Sequence, residues 1–193
     1  MRIHRMAAAA VAAAGLLAGC GGTGTNPAQV PPQPAGAAPA GSQERHNQDD
    51  VVFLQNMLPH HVQTGTISDL AHTKAASLRV KTIALRIKAA QDQQTTRIRN
   101  LLGAWGVPTS ADSGGQVPGM LSDQQIEQLK SSTGGDFDQL FLQLMIDHQK
   151  GAIQMSQTEL AQGSDPQARR LAQDTITGQQ SEINQMQKLL KPS

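Results

Sequence analysis

The chain reads as all-α: a four-helix bundle made of two tandem helix hairpins, with a short helix in the connection between them. Three observations predict this fold. From about residue 48 onward, apolar residues recur at three- and four-residue spacing over four long segments. Residues of high strand propensity are sparse and never alternate over a useful length. Sliding the chain by 88 residues also lays its first half on its second, so that Phe53 falls on Phe141 and His60 on His148.

The segments run about 48–72, 78–104, 136–162 and 166–190. In the third, the stripe is Phe137, Leu140, Phe141, Leu144, Met145, His148, Ala152 and Met155. In the fourth it is Leu171, Ala172, Thr175, Gln179, Glu182, Ile183, Met186, Leu189 and Leu190. Asp136 after Gly134-Gly135 marks the start of the third helix, and Asp165-Pro166 gives the fourth an N-cap followed by proline at the first helical position. The stretch 106–121 is rich in glycine, proline and serine and reads as a loop. Ser122 with Gln125 then resembles a capping box for a short helix to about Lys130. Pro59 lies inside the first helix, where it removes a backbone hydrogen bond and is expected to kink the chain just before His60.

The repeat defines the unit. Phe53-Leu54-Gln55-Asn56-Met57-Leu58-Pro59-His60 aligns with Phe141-Leu142-Gln143-Leu144-Met145-Ile146-Asp147-His148, with five of eight residues identical. The same ungapped register sets Ser77 on Asp165, Gln91 on Gln179, Ile98 on Met186 and Leu101-Leu102 on Leu189-Leu190. The folded domain is therefore expected over 47–193, with repeats at about 48–104 and 136–192. Two amphipathic hairpins bury their stripes most simply as a bundle about a pseudo-twofold axis.

Ahead of the domain, Arg2 and Arg5 precede an uncharged apolar run from Met6 to Ala18. At about 13 residues it is shorter than the roughly 20 that a membrane span needs and matches a signal-peptide core. The run ends in Leu17-Ala18-Gly19-Cys20, which resembles a bacterial lipobox, with Cys20 as the lipidation site. Residues 1–19 are thus expected to be removed, and the chain to be exported and held on the extracytoplasmic side of the cell membrane by its acyl chains. Residues 20–46, rich in Pro, Gly and Ala, read as a disordered tether.

Composition narrows the function. The formal charge of +1 becomes about −1 once Arg2 and Arg5 are removed, which offers no basic stripe for nucleic acid. Cys20 is the only cysteine, so no intramolecular disulfide and no reactive thiol nucleophile serves the domain. No nucleophile elbow and no pair of carboxylates with evident roles is present, so the chain is not expected to be an enzyme. Nothing in the sequence names a protein partner.

The polar residues on the buried stripes are where chemistry would sit. His60 and His148 are equivalent, and each follows a methionine by three residues, Met57 and Met145, on one helix face. His61 adjoins them. Met155 follows two turns after His148, and Met186 comes from the last helix, while Gln91, Gln94, Gln179 and Glu182 lie on the stripes of the second and fourth helices. Imidazole plus thioether is a soft donor set suited to Cu(I). The expected metal ligands are His60, His61, His148, Met57 and Met145, with Met155 and Met186 as contributors and Gln91, Gln179 and Glu182 as supporting groups. The alternative is a scaffold or interaction module without metal, its methionines core filler and its histidines hydrogen-bonded to Gln91, Gln179 or Glu182.

At Met57-Leu58-Pro59-His60-His61 and at Met145-Ile146-Asp147-His148-Gln149-Lys150-Gly151-Ala152-Ile153-Gln154-Met155 the sequence resembles the bacterial family called domain of unknown function 305. The resemblance covers about residues 48–190 and implies a ferritin-like bundle, export, and a metal-handling role, since some relatives bind copper. Two departures stand out. Gln149 replaces the family's second histidine, and the first copy has Gln63-Thr64-Gly65 and Ile67 where the family has Gly-Ala and methionine. A di-iron oxidase does not fit, because none of Glu44, Glu127, Glu159 and Glu182 is followed by histidine at the third place. The expectation is an exported, lipid-anchored copper-binding protein.

Overall fold

The computed structural model of the protein describes residues 46–110 and 116–191. The signal segment 1–19, Cys20 and the tether up to residue 45 lie outside the described residues. Five helices are present: α1 (Gln48–Lys74), α2 (Leu78–Ala104), α3 (Asp123–Ser131), α4 (Gly134–Gln162) and α5 (Pro166–Leu190). None of the described helices is long and apolar enough to cross a membrane.

The cap residues explain the starts. Asn47 and Asp50 form a reciprocal capping box on α1, at 3.0 and 2.6 Å. Ser77 caps α2, Ser122 and Gln125 box α3, and Asp165 Oδ1 accepts from the amides of Gln167 and Ala168 to start α5. The exception is α4. It begins at Gly134, two residues before the predicted Asp136, and Thr133 makes no capping hydrogen bond. α1 runs unbroken through Pro59, which lies on its exposed face.

Each hairpin packs closely on itself, α1 on α2 and α4 on α5, and the two join mainly through α1 against α4. The core divides into two apolar clusters. One holds Phe137, Phe141, Met145, Ile83, Ile87, Met186 and Leu129 of α3; the other holds Phe53, Leu54, Met57, Ile98, Leu102, Met155 and Leu171. The stripe of α4 is wider than its periodicity suggested. Leu142 and Ile146 are buried, while Leu140 and Leu144 are only partly so.

The 88-residue register reappears as crossed hydrogen bonds between the hairpins. Asp50 of α1 accepts from the backbone amides of Ser164 and Asp165, each at 3.0 Å, at the start of α5. Its equivalent, Asp138 of α4, accepts from the amides of Ala76 and Ser77, at 3.1 and 2.8 Å, at the start of α2. Each hairpin thereby caps the second helix of the other.

Candidate metal centre

Between the apolar clusters, residues 60–68 of α1, 91–95 of α2, 148–156 of α4 and 175–182 of α5 form a polar layer. His60, His61 and His148 are all buried in it. The rings of His60 and His148 lie with centroids 3.6 Å apart and tilted by 38°, and His61 stands 6.2 Å from His60. The equivalent histidines do meet at the pseudo-twofold axis.

The hydrogen bonds fix which nitrogen of each ring carries its proton. His60 Nε2 faces the His148 carbonyl oxygen at 3.1 Å. A carbonyl only accepts, so Nε2 is the protonated nitrogen and Nδ1 keeps a lone pair. His61 Nε2 donates in the same way to Gln94 Oε1 at 2.8 Å, again leaving Nδ1. The Thr64 hydroxyl gives its hydrogen to the His60 carbonyl at 3.3 Å, so toward His148 Nδ1, at 3.4 Å, it can only accept. His148 is therefore the Nδ1–H tautomer with its lone pair on Nε2. The three lone-pair nitrogens, His60 Nδ1, His61 Nδ1 and His148 Nε2, are all buried and have no hydrogen-bond partner.

Burial also keeps the rings neutral. Loss of water pushes His61 down to about 4 and His148 down to about 3, the latter helped by the neighbouring His61. It holds His60 well below the ordinary imidazole value, with His148 and His61 adding to the effect. At neutral pH the layer thus presents three uncharged imidazoles with free lone pairs, the protonation state a metal ligand requires.

The pseudo-symmetry extends through the layer. His61 with Gln94 and Gln149 with Glu182 are equivalent pairs, and Gln149 Nε2 donates to Glu182 Oε2 at 2.6 Å. Burial raises the Glu182 carboxyl, a shift opposed by Gln149 and Arg86. Gln91 and Gln179 are buried with neither amide atom partnered, as are the hydroxyls of Ser68 and Ser156. The expectation that Gln91, Gln179 or Glu182 would hydrogen-bond the histidines is not met; Gln94 and Thr64 do so. Thr64, Ser68 and Ser156 escaped the sequence reading because small hydroxyl side chains on a buried stripe look like ordinary core filler.

The four candidate methionines are buried but divide between the clusters, Met57 and Met155 on one side of the layer, Met145 and Met186 on the other. Among the described residues no three His, Cys, Asp or Glu side chains are grouped so as to hold a metal ion by themselves. Imidazole nitrogen and thioether sulfur are the donor types a soft ion takes, and here the buried methionines lie on either side of the imidazoles. His46, at the end of the stretch read as a tether, is half-buried and stacks on Trp105 at 4.2 Å.

The connection between hairpins closes over the centre. Gln63 grips Leu121 twice, donating to its carbonyl at 3.0 Å and accepting from its amide at 2.8 Å. At the equivalent place on α4, Gly151 lets Pro118 and Gly119 lie directly on the helix. A Cβ on Gly151 would sit 2.3 Å from the Pro118 carbonyl oxygen, and one on Gly119 2.5 Å from the His148 oxygen. One position at which the two copies differ, Gln63 against Gly151, therefore seats one loop from both sides.

No curated protein matches the chain. Among solved structures, a DUF305 protein of Streptomyces coelicolor predicted to be secreted is 26% identical, with TM-score 0.70 over 74% of this chain and 91% of its own. A DUF305 fragment from Deinococcus radiodurans is 28% identical, with TM-score 0.69, covering 75% and 96%. CopM in a silver-bound form is 26% identical, with TM-score 0.61, covering 72% and 93%; it has also been solved with Cu(I) and Cu(II). The model of the domain of unknown function DUF305 matches residues 50–190, so both hairpins and their shared polar layer lie within it, and the chain belongs to the DUF305 family.

Proposed function

We propose that this protein is an exported, membrane-anchored metal-binding protein that holds copper, as Cu(I), at its central histidine layer and the methionines that flank it, and sequesters it outside the cytoplasm. The observation that carries this reading is the set of three buried, neutral imidazoles whose lone-pair nitrogens have no partner. The ligands would be His60, His61, His148, Met57 and Met145, joined by Met155 and Met186, with Gln91, Gln179 and Glu182 around them. Thr64, Gln94 and the His148 carbonyl orient the rings and hold their tautomers. Copper here is cargo; soft nitrogen and sulfur donors stabilise its reduced state. The copper- and silver-bound forms of CopM support the reading. The Leu17-Ala18-Gly19-Cys20 motif and the S. coelicolor relative support export, with Cys20 as the lipid attachment point.

A competition titration of residues 42–193 against a chromophoric Cu(I) chelator tests the metal site. Tight stoichiometric binding, lost in both His60→Ala and His148→Ala, is expected. Binding no stronger than that of an unrelated helical protein would leave the scaffold reading, which the His61–Gln94 hydrogen bond favours. Labelling cells with radioactive palmitate tests the anchor: label should be incorporated and should disappear in Cys20→Ala.

A further inference from the structure

His60 and His148 are equivalent in the repeat, yet they carry their protons on opposite nitrogens. His60 gives its Nε2 proton to the His148 carbonyl at 3.1 Å. The reciprocal hydrogen bond is not made. The His60 carbonyl takes the Thr64 hydroxyl at 3.3 Å instead, and His148 Nε2 has no partner. Thr64 explains the His148 half of the difference, since Ala152 stands at its equivalent place and has no hydroxyl. The His60 half depends on the His148 carbonyl, the acceptor that its ring meets.

That carbonyl lies beneath a backbone strap, residues 117–121, whose Gly119 rests on the His148 peptide itself. A Cβ on Gly119 would lie 2.5 Å from the His148 oxygen and 2.9 Å from Gly151 Cα. Gly119 has a φ of +80°, in the left-handed region that glycine takes without strain. On the other side Gln63 of α1 holds the strap through its two hydrogen bonds to Leu121, and the Leu121 side chain is buried in an apolar cluster. A carbonyl oxygen has two lone pairs. Inside α4 one of them serves the helix ladder, and His60 takes the other. A gap too small for a methyl carbon is also too small for water, so the seated strap keeps a competing donor away from this oxygen.

We propose that the strap, through Gly119, is a positioning element of the metal centre. It seals the His148 carbonyl against water and so keeps His60 in the tautomer whose Nδ1 is free for an ion. Gly119 acts through the peptide that receives the His60 proton. The use of Nδ1 rests on the copper reading, whereas the tautomer is a property of the metal-free protein. A strap lifted from its seat lets water reach the carbonyl and loosens the hold on the Nε2 proton. The other tautomer is then admitted, in which Nδ1 carries hydrogen and cannot bind a metal. The connection between the hairpins, which belongs to neither repeat, thereby controls a nitrogen inside one of them.

Long-range proton–nitrogen NMR correlations of the histidine rings in the metal-free full chain read the tautomer, with the His60 signals identified by their loss in His60→Ala. The parent should show His60 protonated at Nε2 alone. Gly119→Ala should add a second population protonated at Nδ1 and weaken Cu(I) binding in the chelator titration about tenfold. Gly106→Ala is the control. Gly106 has a similar φ of +67° but nothing within 4 Å of an added Cβ, so both readouts should match the parent. Gln63→Ala frees the strap from α1 without adding an atom at the seat, and it should admit the same second tautomer. Thermal melts check folding, and Gln63→Ala decides the matter if Gly119→Ala does not fold. A single, unchanged His60 tautomer in the folded variants, or an equal change in Gly106→Ala, would overturn the proposal. A parent that binds no Cu(I) would sink the copper reading instead, and the tautomers would still decide the role of the strap.

Discussion

At equivalent positions of the two hairpins, His61 donates to Gln94 while Gln149 donates to Glu182. The geometry is kept and the chemistry is exchanged, an imidazole–amide pair for an amide–carboxyl pair. The clasps differ in the same manner. Asp50 is fully buried and takes donors from Asn47, Ser164 and Asp165, whereas Asp138 is half-buried and takes only Ala76 and Ser77. Duplication supplied one backbone plan, and the side chains then specialised within it: two histidines in the first half, and a buried glutamate and a loop-seating glycine in the second.

The largest test of this asymmetry is at the clasps. Asp50→Ala strands the buried amide of Asp165 and takes the acceptor from those of Asn47 and Ser164; it should cost about 4 kcal/mol, against about 1 for Asp138→Ala. Urea unfolding of the two variants reads the difference, and equal losses would show the clasps to be equivalent. Next is the loop seat. Gly151→Ala places a methyl group where Pro118 lies and should cost about 2 kcal/mol, whereas Gln63→Ala removes two hydrogen bonds on the opposite side and should cost about 1. Amide exchange at Leu121 would follow the loop directly.

Acid sharpens the comparison further. Folded His61 and His148 are held at about 4 and 3, while unfolded imidazoles titrate near 6.5. Below pH 6.5 the unfolded chain gains protons that the folded chain refuses. Stability is therefore fully present above 6.5 and falls with pH, by up to about 1.4 kcal/mol per unit for each imidazole, until the folded values are reached. Glu159 works in the opposite direction. Its folded value of about 8 lies above the ordinary 4.5, so its contribution is complete below 4.5 and is lost as pH rises toward 8. Thermal melts of the metal-free protein between pH 7 and 5 should show a shallower acid slope in His61→Gln than in the parent, because one of three such groups is gone. The smallest effect is expected from Gln149→His, which restores a second histidine beside Glu182 and should tighten Cu(I) binding by about 1 kcal/mol in the same chelator titration.

Much of this is legible in the sequence. Helix limits followed from periodicity and caps, and the meeting of His60 with His148 followed from their equivalence, because equivalent stripe positions converge on a twofold axis. The partners of the histidines were not legible. One is a backbone carbonyl, which no side-chain pattern reports, and Gln94 differs from Gln91 only by three residues on the same stripe. The division of the methionines was hidden for a related reason. Spacing of three puts Met57 and His60 on one face, yet that single turn carries Met57 out of the polar layer and into the apolar cluster. The clasp could have been found, since Asp50 and Asp138 coincide under the same 88-residue shift that aligned Phe53 with Phe141.

The crossed clasps bear on the order in which the protein can be made. While the first hairpin leaves the ribosome, Asp138 does not yet exist, and the start of α2 lacks its second set of acceptors. Asp50 meets its own partners only when residues 164 and 165 have been synthesised, 115 positions later for Asp165. Contacts so distant along the chain close late. The crossed clasps therefore close only once both hairpins have been synthesised, so neither hairpin reaches its final hydrogen bonding alone.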